Sequence, residues 1–368
     1  MVVKISVLGV RGMPNVQGGI EAHAEQLYKR LVALGCDVEV IVRTPFVPRG
    51  QQSFESIRLR RIWSPRRAGL EALVHSVIGV FYAGLVRPDI LHVHAIGPAI
   101  VTPIARLLGL RVVVTHHGPD YDREKWGHFA RWTLRMGERV GMRYSHARIA
   151  ISKVISDLVL SKYDRDADLI PNGVIAGNLR TGADHVRRYG LEPGRYFLQV
   201  SRMVPEKRQL DLIRAYASAP PLGWKLALVG GLEADDYSRK VETEASEAGV
   251  VLTGYLNGVA LEQLYANAGA FVLPSSHEGM PIAMLEALGH GLPVLASDIP
   301  ANLEVGLDRS SYFPLGNIVA LAGGLARFAR ISQETHTRAA RQKWAMQAYS
   351  WDRIAEQTLR VYRRVSNA

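Results

Sequence analysis

The chain alternates apolar runs of strand length with amphipathic runs of helix length, and it does so in two successive series. In the first series, residues 4–10 lead through a glycine-containing loop into 20–34, where apolar positions recur at helical spacing. Gly35 stops that helix and 37–42 resumes an extended run; 89–94, 111–115, 148–151 and 168–170 are further strand candidates. Ser152 is placed to cap the helix that follows. In the second series, 196–201, 225–229, 250–253, 270–273 and 294–297 read as strands, with helices predicted over 209–218, 237–248, 261–266 and 281–288. Strands separated by helices become parallel neighbours in one sheet, because the helix carries the chain back to the same sheet end. The polar, turn-rich stretch 171–194 lies between the series. The expectation is therefore an α/β chain of two Rossmann-like domains facing each other across a cleft, with ligands at the carboxyl ends of the strands.

Length agrees, since 368 residues exceed what one core usually organises. Hydrophobic residues at 48%, charged residues at 21% and a mean hydropathy of +0.01 describe a globular chain rather than a disordered or fibrous one. The net charge of +11 favours an acidic partner: nucleic acid, an anionic membrane surface or a phosphorylated small molecule. A solvated basic surface without a dedicated partner is the plainer reading. Cys36 is the only cysteine, so no intrachain disulfide is available. With no leader-like start, a cytoplasmic location is expected. Residues 70–86 are apolar-rich but carry Glu71 and His75, too short and too polar for a membrane span.

The stretch from Ser275 to Glu286 concentrates the chemistry. It follows the apolar run 270–273 and opens a helix in which Pro281 is expected in the first turn. Backbone N–H groups at a helix start bind phosphate or sugar hydroxyls. Glu278 in the loop and Glu286 along the helix place carboxylates on either side of such an anion site, a layout that suits a nucleotide-sugar. After the strand 196–201, Arg202 and Lys207 can face a diphosphate and neutralise its charge, or can be solvated surface cations. Gly18-Gly19 directly precedes a helix; it either lets backbone approach a diphosphate or makes a tight turn. The loop lacks the G-x-G-x-x-G pattern, which disfavours a hydride-transfer cofactor.

His116 and His117 end a first-series strand, where a side chain can touch substrate; a metal role would need a second cluster of ligand spacing, which the sequence does not show. His92 and His94 alternate on one strand face and are expected to line core or cleft. In residues 123–143, Arg131, Arg135, Arg139 and Arg143 recur every fourth position among Trp126, Phe129 and Trp132. Three readings stay open: a helix lying on anionic lipid headgroups, an amphipathic helix packed on the sheet, and, ranked last for want of a motif, a nucleic-acid patch.

Taken together, these residues resemble the retaining GT-B glycosyltransferases of family 4. Glu278 to Glu286 matches that family's E-x7-E motif, continued by Ala287-Leu288-Gly289-His290-Gly291-Leu292-Pro293-Val294. Arg202 to Lys207, Ile170-Pro171-Asn172-Gly173-Val174, Gly18-Gly19 and Gly254-Tyr255-Leu256 match in the family's order. Gly18-Gly19-Ile20-Glu21 and Lys125-Trp126-Gly127 are similar to bacterial surface-polysaccharide members.

The resemblance implies an acceptor-binding domain over 1–172, completed by a C-terminal helix at about 350–368, and a nucleotide-sugar domain over 173–349. It implies donor diphosphate contacts from Gly18, Gly19, Arg202 and Lys207. Glu278 and the backbone of Gly279, Met280 and Pro281 would hold the transferred sugar, Glu286 the ribose, Tyr255 and Leu256 the base. His117 would line the catalytic centre, with Glu278, Arg202 and Lys207 the other catalytic candidates. No cofactor and no metal is implied; the nucleoside diphosphate sugar, of UDP or GDP type, is a substrate. The expected acceptor is a saccharide or a polyprenyl-linked molecule; the basic stretch Arg123–Arg143 adds the expectation of peripheral contact with an anionic membrane, and no nucleic acid is expected as partner. Two rivals differ in class: a nucleotide-sugar epimerase or phosphorylase on the same fold, and a basic membrane- or nucleic-acid-binding protein without catalysis.

Overall fold

The computed structural model describes residues 2–65, 70–122, 127–331 and 335–367. The chain divides into two compact units, one of residues 1–172 with 351–368, the other of residues 173–350.

Unit 1 runs β1 (Lys4–Leu8), α1 (Gly19–Ala33), β2 (Asp37–Arg43), β3 (Ser53–Phe54), β4 (Ile57–Ile62), α2 (Leu70–Val86), β5 (Ile90–His94), α3 (Thr102–Leu107), β6 (Val112–His116), α4 (His128–Tyr144), β7 (Ala147–Ala150), α5 (Lys153–Tyr163) and β8 (Asp168–Leu169). Its sheet order is β3-β4-β2-β1-β5-β6-β7-β8, parallel except for the β3–β4 hairpin. Central strands such as Ile5–Leu8 and Ile90–His94 are buried throughout, as strands covered by helices on both faces must be. The order reverses between β1 and β5. There the chain leaving β1 turns at Gly9, whose φ of +104° is open to glycine, and a Cβ at that position would lie 2.2 Å from the carbonyl oxygen of His94.

Unit 2 contains α6 (Asp184–Arg188), β9 (Tyr196–Val200), α7 (Gln209–Ser218), β10 (Lys225–Val229), α8 (Asp236–Glu247), β11 (Val251–Leu252), α9 (Gly258–Asn267), β12 (Ala270–Leu273), α10 (Ile282–Gly289), β13 (Val294–Ser297), α11 (Pro300–Leu303), β14 (Tyr312–Phe313), α12 (Ile318–Phe328) and α13 (Thr335–Ala348). The order β11-β10-β9-β12-β13-β14 is all parallel and is the dinucleotide-fold order 3-2-1-4-5-6. Phe197, Leu226, Leu228, Val272 and Leu295 on the strands pack with Leu212, Val241 and Leu325 from α7, α8 and α12.

The last helix, α14 (Trp351–Ser366), belongs to unit 1. Its apolar stripe of Trp351, Ile354, Leu359, Tyr362 and Val365 enters the core around β1 and α1, each large side chain adding about 1.5–3 kcal/mol of burial. Arg30 on α1 pairs with Asp352 at 2.9 Å. Among the described residues, no helix is long and apolar enough to cross a membrane. The strands β3, β4 and β14 were not among the sequence candidates. Ile57-Arg58-Leu59-Arg60-Arg61-Ile62 alternates only as far as Arg60, and its three arginines mask the apolar face that Ile57, Leu59 and Ile62 bury.

Candidate active site

In unit 2 the strand order reverses between β9 and β12, so the connections leaving these two strands diverge and open a crevice at their carboxyl ends. Pro205–Lys207 forms a single 3-10 turn after β9, and Arg208 follows it in the left-handed region at φ +51°. Ser276, after β12, donates its backbone N–H to the Glu206 carbonyl at 2.9 Å and ties the two loops together. Across that tie, Lys207 Nζ donates to Glu278 Oε1 at 2.5 Å, with the two side chains only 18% and 10% exposed. Two glutamines brace the loop: Gln199 Nε2 donates to the Lys207 carbonyl at 3.0 Å, and Gln209 Nε2 to the Arg202 carbonyl at 2.8 Å. Neither glutamine was singled out from sequence; the signal was a polar residue inside an otherwise apolar strand and another at a helix start.

Pro281 stands one residue before α10 rather than in its first turn, which corrects the expectation above. Its ψ of 97° is extended, so the helix begins at Ile282, and the Pro281 carbonyl accepts from the N–H groups of Met284 and Leu285. Met280 is buried and Gly279 half-buried. Glu286, on the following turns, does not join the Lys207–Glu278 pair. Its Oε2 accepts from the buried Tyr265 hydroxyl at 2.8 Å, and Tyr265 stacks on His290 with centroids 5.2 Å apart. Burial pushes the Glu286 carboxyl above its ordinary range, against the opposing effect of the Tyr265 hydrogen bond. Tyr265 is a second partner the sequence did not reveal, because it comes from α9, twenty-one residues upstream. Tyr255 is exposed and Leu256 half-buried in the loop after β11, at the outer strand of the sheet. Arg202 is half-buried in the braced loop.

In unit 1, Gly18 immediately precedes α1 with φ +154°, and a Cβ there would meet Glu21 Oε2 at 2.0 Å. Glu21 Oε1 in turn accepts from the Arg11 N–H at 3.1 Å. The buried carboxylate thus fastens the loop after β1, and the tight turn at Gly18 is a requirement of the local fold. Gly19 is exposed.

The histidines form a connected cluster at the carboxyl ends of β5 and β6. Thr115 and Tyr362 bond His92 at 2.7 and 2.6 Å; Tyr28 bonds His92 at 2.8 Å and His94 at 2.6 Å. His94 Nδ1 reaches His117 Nε2 at 2.9 Å. His23 Nδ1 donates to Asn172 Oδ1 at 2.7 Å, while its buried Nε2 has no partner among the described residues. Burial lowers His23 to about 4 and His92 to about 3, and takes His94 and His117 well below the ordinary histidine value; mutual repulsion adds to the effect in His92, His94 and His117. The cluster is neutral at physiological pH.

His116 and His117 part company here. His116 is sealed, bonded to Glu138 at 2.9 Å and accepting the Gly118 N–H at Nδ1, whereas His117 is half-buried and remains accessible. His23, His94 and His117 bring ring nitrogens within 4.8 Å, the one such set among the described residues with metal-compatible spacing. The His94–His117 separation of 2.9 Å is a hydrogen bond, shorter than the about 3.3 Å between nitrogens on a tetrahedral ion.

Of the basic stretch, Arg123, Lys125 and Trp126 lie outside the described residues. On α4, Arg135, Arg139 and Arg143 are exposed and Arg131 half-buried, while Gly137, Glu138, Gly141 and Met142 pack inward. Phe129 and Trp132 are 70% and 56% exposed and stack at 6.1 Å.

Two family models match the chain: a glycosyl transferase 4-like domain over residues 18–173 and glycosyl transferases group 1 over 185–351. A GDP-mannose-dependent alpha-mannosyltransferase of Mycolicibacterium smegmatis is 26% identical over 80% of both chains. The O-antigen chain mannosyltransferase B of Escherichia coli is 28% identical over 48% of each, so the match spans about half of that relative. Among solved structures, sucrose-phosphate synthase of Thermosynechococcus elongatus superposes over 99% of both chains with a TM-score of 0.81 and 23% identity. HepE of Anabaena, in complex with UDP and glucose, superposes with a TM-score of 0.79 and 20% identity over 98% of this chain and 99% of that one.

Proposed function

The chain belongs to the family 4 glycosyltransferases of the GT-B fold, and on that footing we propose that it transfers a hexosyl group, with retained anomeric configuration, from a nucleoside diphosphate sugar to a lipid-linked saccharide in cell-surface polysaccharide synthesis. The observation that carries the donor half is the Lys207–Glu278 pair at the switch point of unit 2. An ammonium and a carboxylate held side by side match the two ends of a diphosphate–sugar bond: phosphate on the cation, hydroxyls on the anion. The name of the O-antigen chain mannosyltransferase relative supports the polysaccharide context.

In this reading Arg202, Lys207 and the N–H groups leading into α10 take the diphosphate, with Gly18 and Gly19 contributing from unit 1. Glu278, with the backbone of Gly279, Met280 and Pro281, holds the sugar hydroxyls. Glu286 holds the ribose hydroxyls, and Tyr255 and Leu256 flank the base. The bond from the anomeric carbon to the phosphate oxygen breaks while the acceptor oxygen bonds that carbon from the same face. The acceptor proton passes to the departing phosphate oxygen. Arg202 and Lys207 stabilise the charge that develops there, preorganised by Gln199 and Gln209. Neutral His117, held by His94, offers a hydrogen bond to the sugar without adding charge. Two cations suffice for the leaving group, so no metal or cofactor is required. The exposed arginines of α4, with Phe129 and Trp132 beside them, suit an anionic headgroup layer.

Titrating nucleoside diphosphates and their sugars against the full chain tests this reading. Saturable binding of one nucleotide, weakened in Lys207→Ala, is expected. Donor conversion without any acceptor would point instead to an epimerase, and dependence on inorganic phosphate to a phosphorylase.

A further inference from the structure

Unit 1 holds a cavity of about 710 Å³ at the carboxyl ends of β2 and β4, built by the loops that leave those strands. Its volume suits a ligand of one or two sugar rings. Its described lining contains two arginines, Arg49 and Arg61, and no carboxylate. A third arginine, Arg11, lies over the ring of the lining Phe46 at 5.7 Å. Nearby Arg43 is already neutralised by Glu71 at 2.6 Å, but Arg49 and Arg61 have no acidic partner among the described residues. Two donors in this wall are buried without an acceptor: Arg61 Nε, and Oγ of Ser64, which is 2% exposed. Buried donors left unpaired are costly, and a ligand oxygen relieves that cost. Trp63, also in the wall, is 61% exposed, and an indole left this open is a ring on which the C–H face of a sugar can stack.

We propose that this cavity binds an acidic saccharide, a sugar ring bearing a carboxylate or phosphate, and that it thereby selects a negatively charged acceptor. The guanidinium of Arg61 and the Ser64 hydroxyl take the anion, Arg49 adds charge at the rim, and Trp63 stacks on the ring. The role as acceptor site rests on the transferase reading above; the preference for an anionic sugar stands on the cavity alone.

Saturation-transfer NMR on the full chain tests it, with glucuronic acid, its methyl ester, glucose 6-phosphate and glucose as probes. The account expects transfer to one or both anions, weak or no transfer to the ester and glucose, and about tenfold or greater loss of affinity in Trp63→Ala and Arg49→Gln. Both positions are exposed, so these variants should fold; Trp63→Phe should retain binding. The response to glucuronic acid against glucose 6-phosphate tells a carboxylate from a phosphate requirement. Equal response to glucuronic acid and its ester together with none to glucose 6-phosphate, or binding unchanged in both variants, overturns the proposal. Nucleoside diphosphate affinity, measured alongside, should be unaltered by these substitutions, which separates failure of this inference from failure of the transferase reading.

Discussion

Replacing Glu286 with Gln should strengthen the free protein and weaken its hold on the donor. Burial raises the folded pKa of this carboxyl above its unfolded value. A raised acid favours the protonated form in the fold, so its stabilising contribution is present at low pH and is lost as pH rises through the folded value. At pH 7 the buried carboxyl therefore stabilises the fold less than it does in acid, and a neutral amide removes that pH-dependent cost while still accepting the Tyr265 hydroxyl now seen at 2.8 Å. Donor binding moves the other way. A carboxylate receiving two ribose hydroxyls gains charge-assisted bonds of about 1.5–3 kcal/mol each, and an amide keeps only one neutral acceptor. The net loss is about 2 kcal/mol, roughly thirtyfold in Kd. Calorimetric titration with the preferred nucleoside diphosphate gives the second quantity, and thermal melts at pH 5 and pH 7 give the first. The wild type should melt below the variant at pH 7, with the gap narrowing at pH 5. An unchanged donor Kd would refute the ribose assignment; a variant less stable than wild type at pH 7 would refute the electrostatic reasoning.

Lys207→Ala should raise the nucleoside diphosphate Kd by about tenfold to a hundredfold, the worth of one charge-assisted contact, and Glu278→Gln should reduce turnover with a smaller change in nucleotide affinity. Initial rates over a range of donor concentrations separate the two; equal losses in Kd for both variants would contradict the division of roles. Unit 1 should unfold in acid. His23, His75 and His92 are held to about 4, 4 and 3 by burial, so each loses stability as pH falls below 6.5, together about 4 kcal/mol per pH unit. Against a typical domain stability of about 5–15 kcal/mol, the transition belongs between about pH 5 and pH 3, and far-UV circular dichroism unchanged at pH 3 would contradict it. Gly9→Ala should destabilise by roughly 2–4 kcal/mol, since its Cβ meets the His94 carbonyl oxygen at 2.2 Å and its φ is +104°; a chemical melt that overlays the wild type would refute that contact.

The sequence was most readable where one force dominated. Buried parallel strands such as Ala270–Leu273 and Val294–Ser297 are short apolar runs bounded by turns, and helices such as Gln209–Ser218 carry unbroken spacing. Strand β4 was missed because its three arginines equal its three inward apolar residues in number and hide the buried face, and β14 because two residues carry no period. The loop residues Lys207 and Glu278 were identifiable as charges near strand ends, but their pairing depends on the Ser276–Glu206 tie, a contact seventy residues apart in sequence. Tyr265, Gln199 and Gln209 were silent for a related reason: a residue that positions another carries no motif of its own. The split between His116 and His117 likewise followed from what packs behind the strand, with Glu138 claiming one ring and His94 the other.

In the proposed donor site, the crevice between the loops after β9 and β12 grips a nucleoside diphosphate through Lys207 and Arg202, with Glu286 on the ribose. A crystal structure of the full chain with its preferred nucleoside diphosphate measures this directly. The account predicts phosphate oxygens within hydrogen-bond distance of Lys207 Nζ and the Arg202 guanidinium, and ribose hydroxyls on Glu286. Density for the nucleotide elsewhere, with Lys207 still paired to Glu278 and Glu286 still closed on Tyr265 alone, would contradict it.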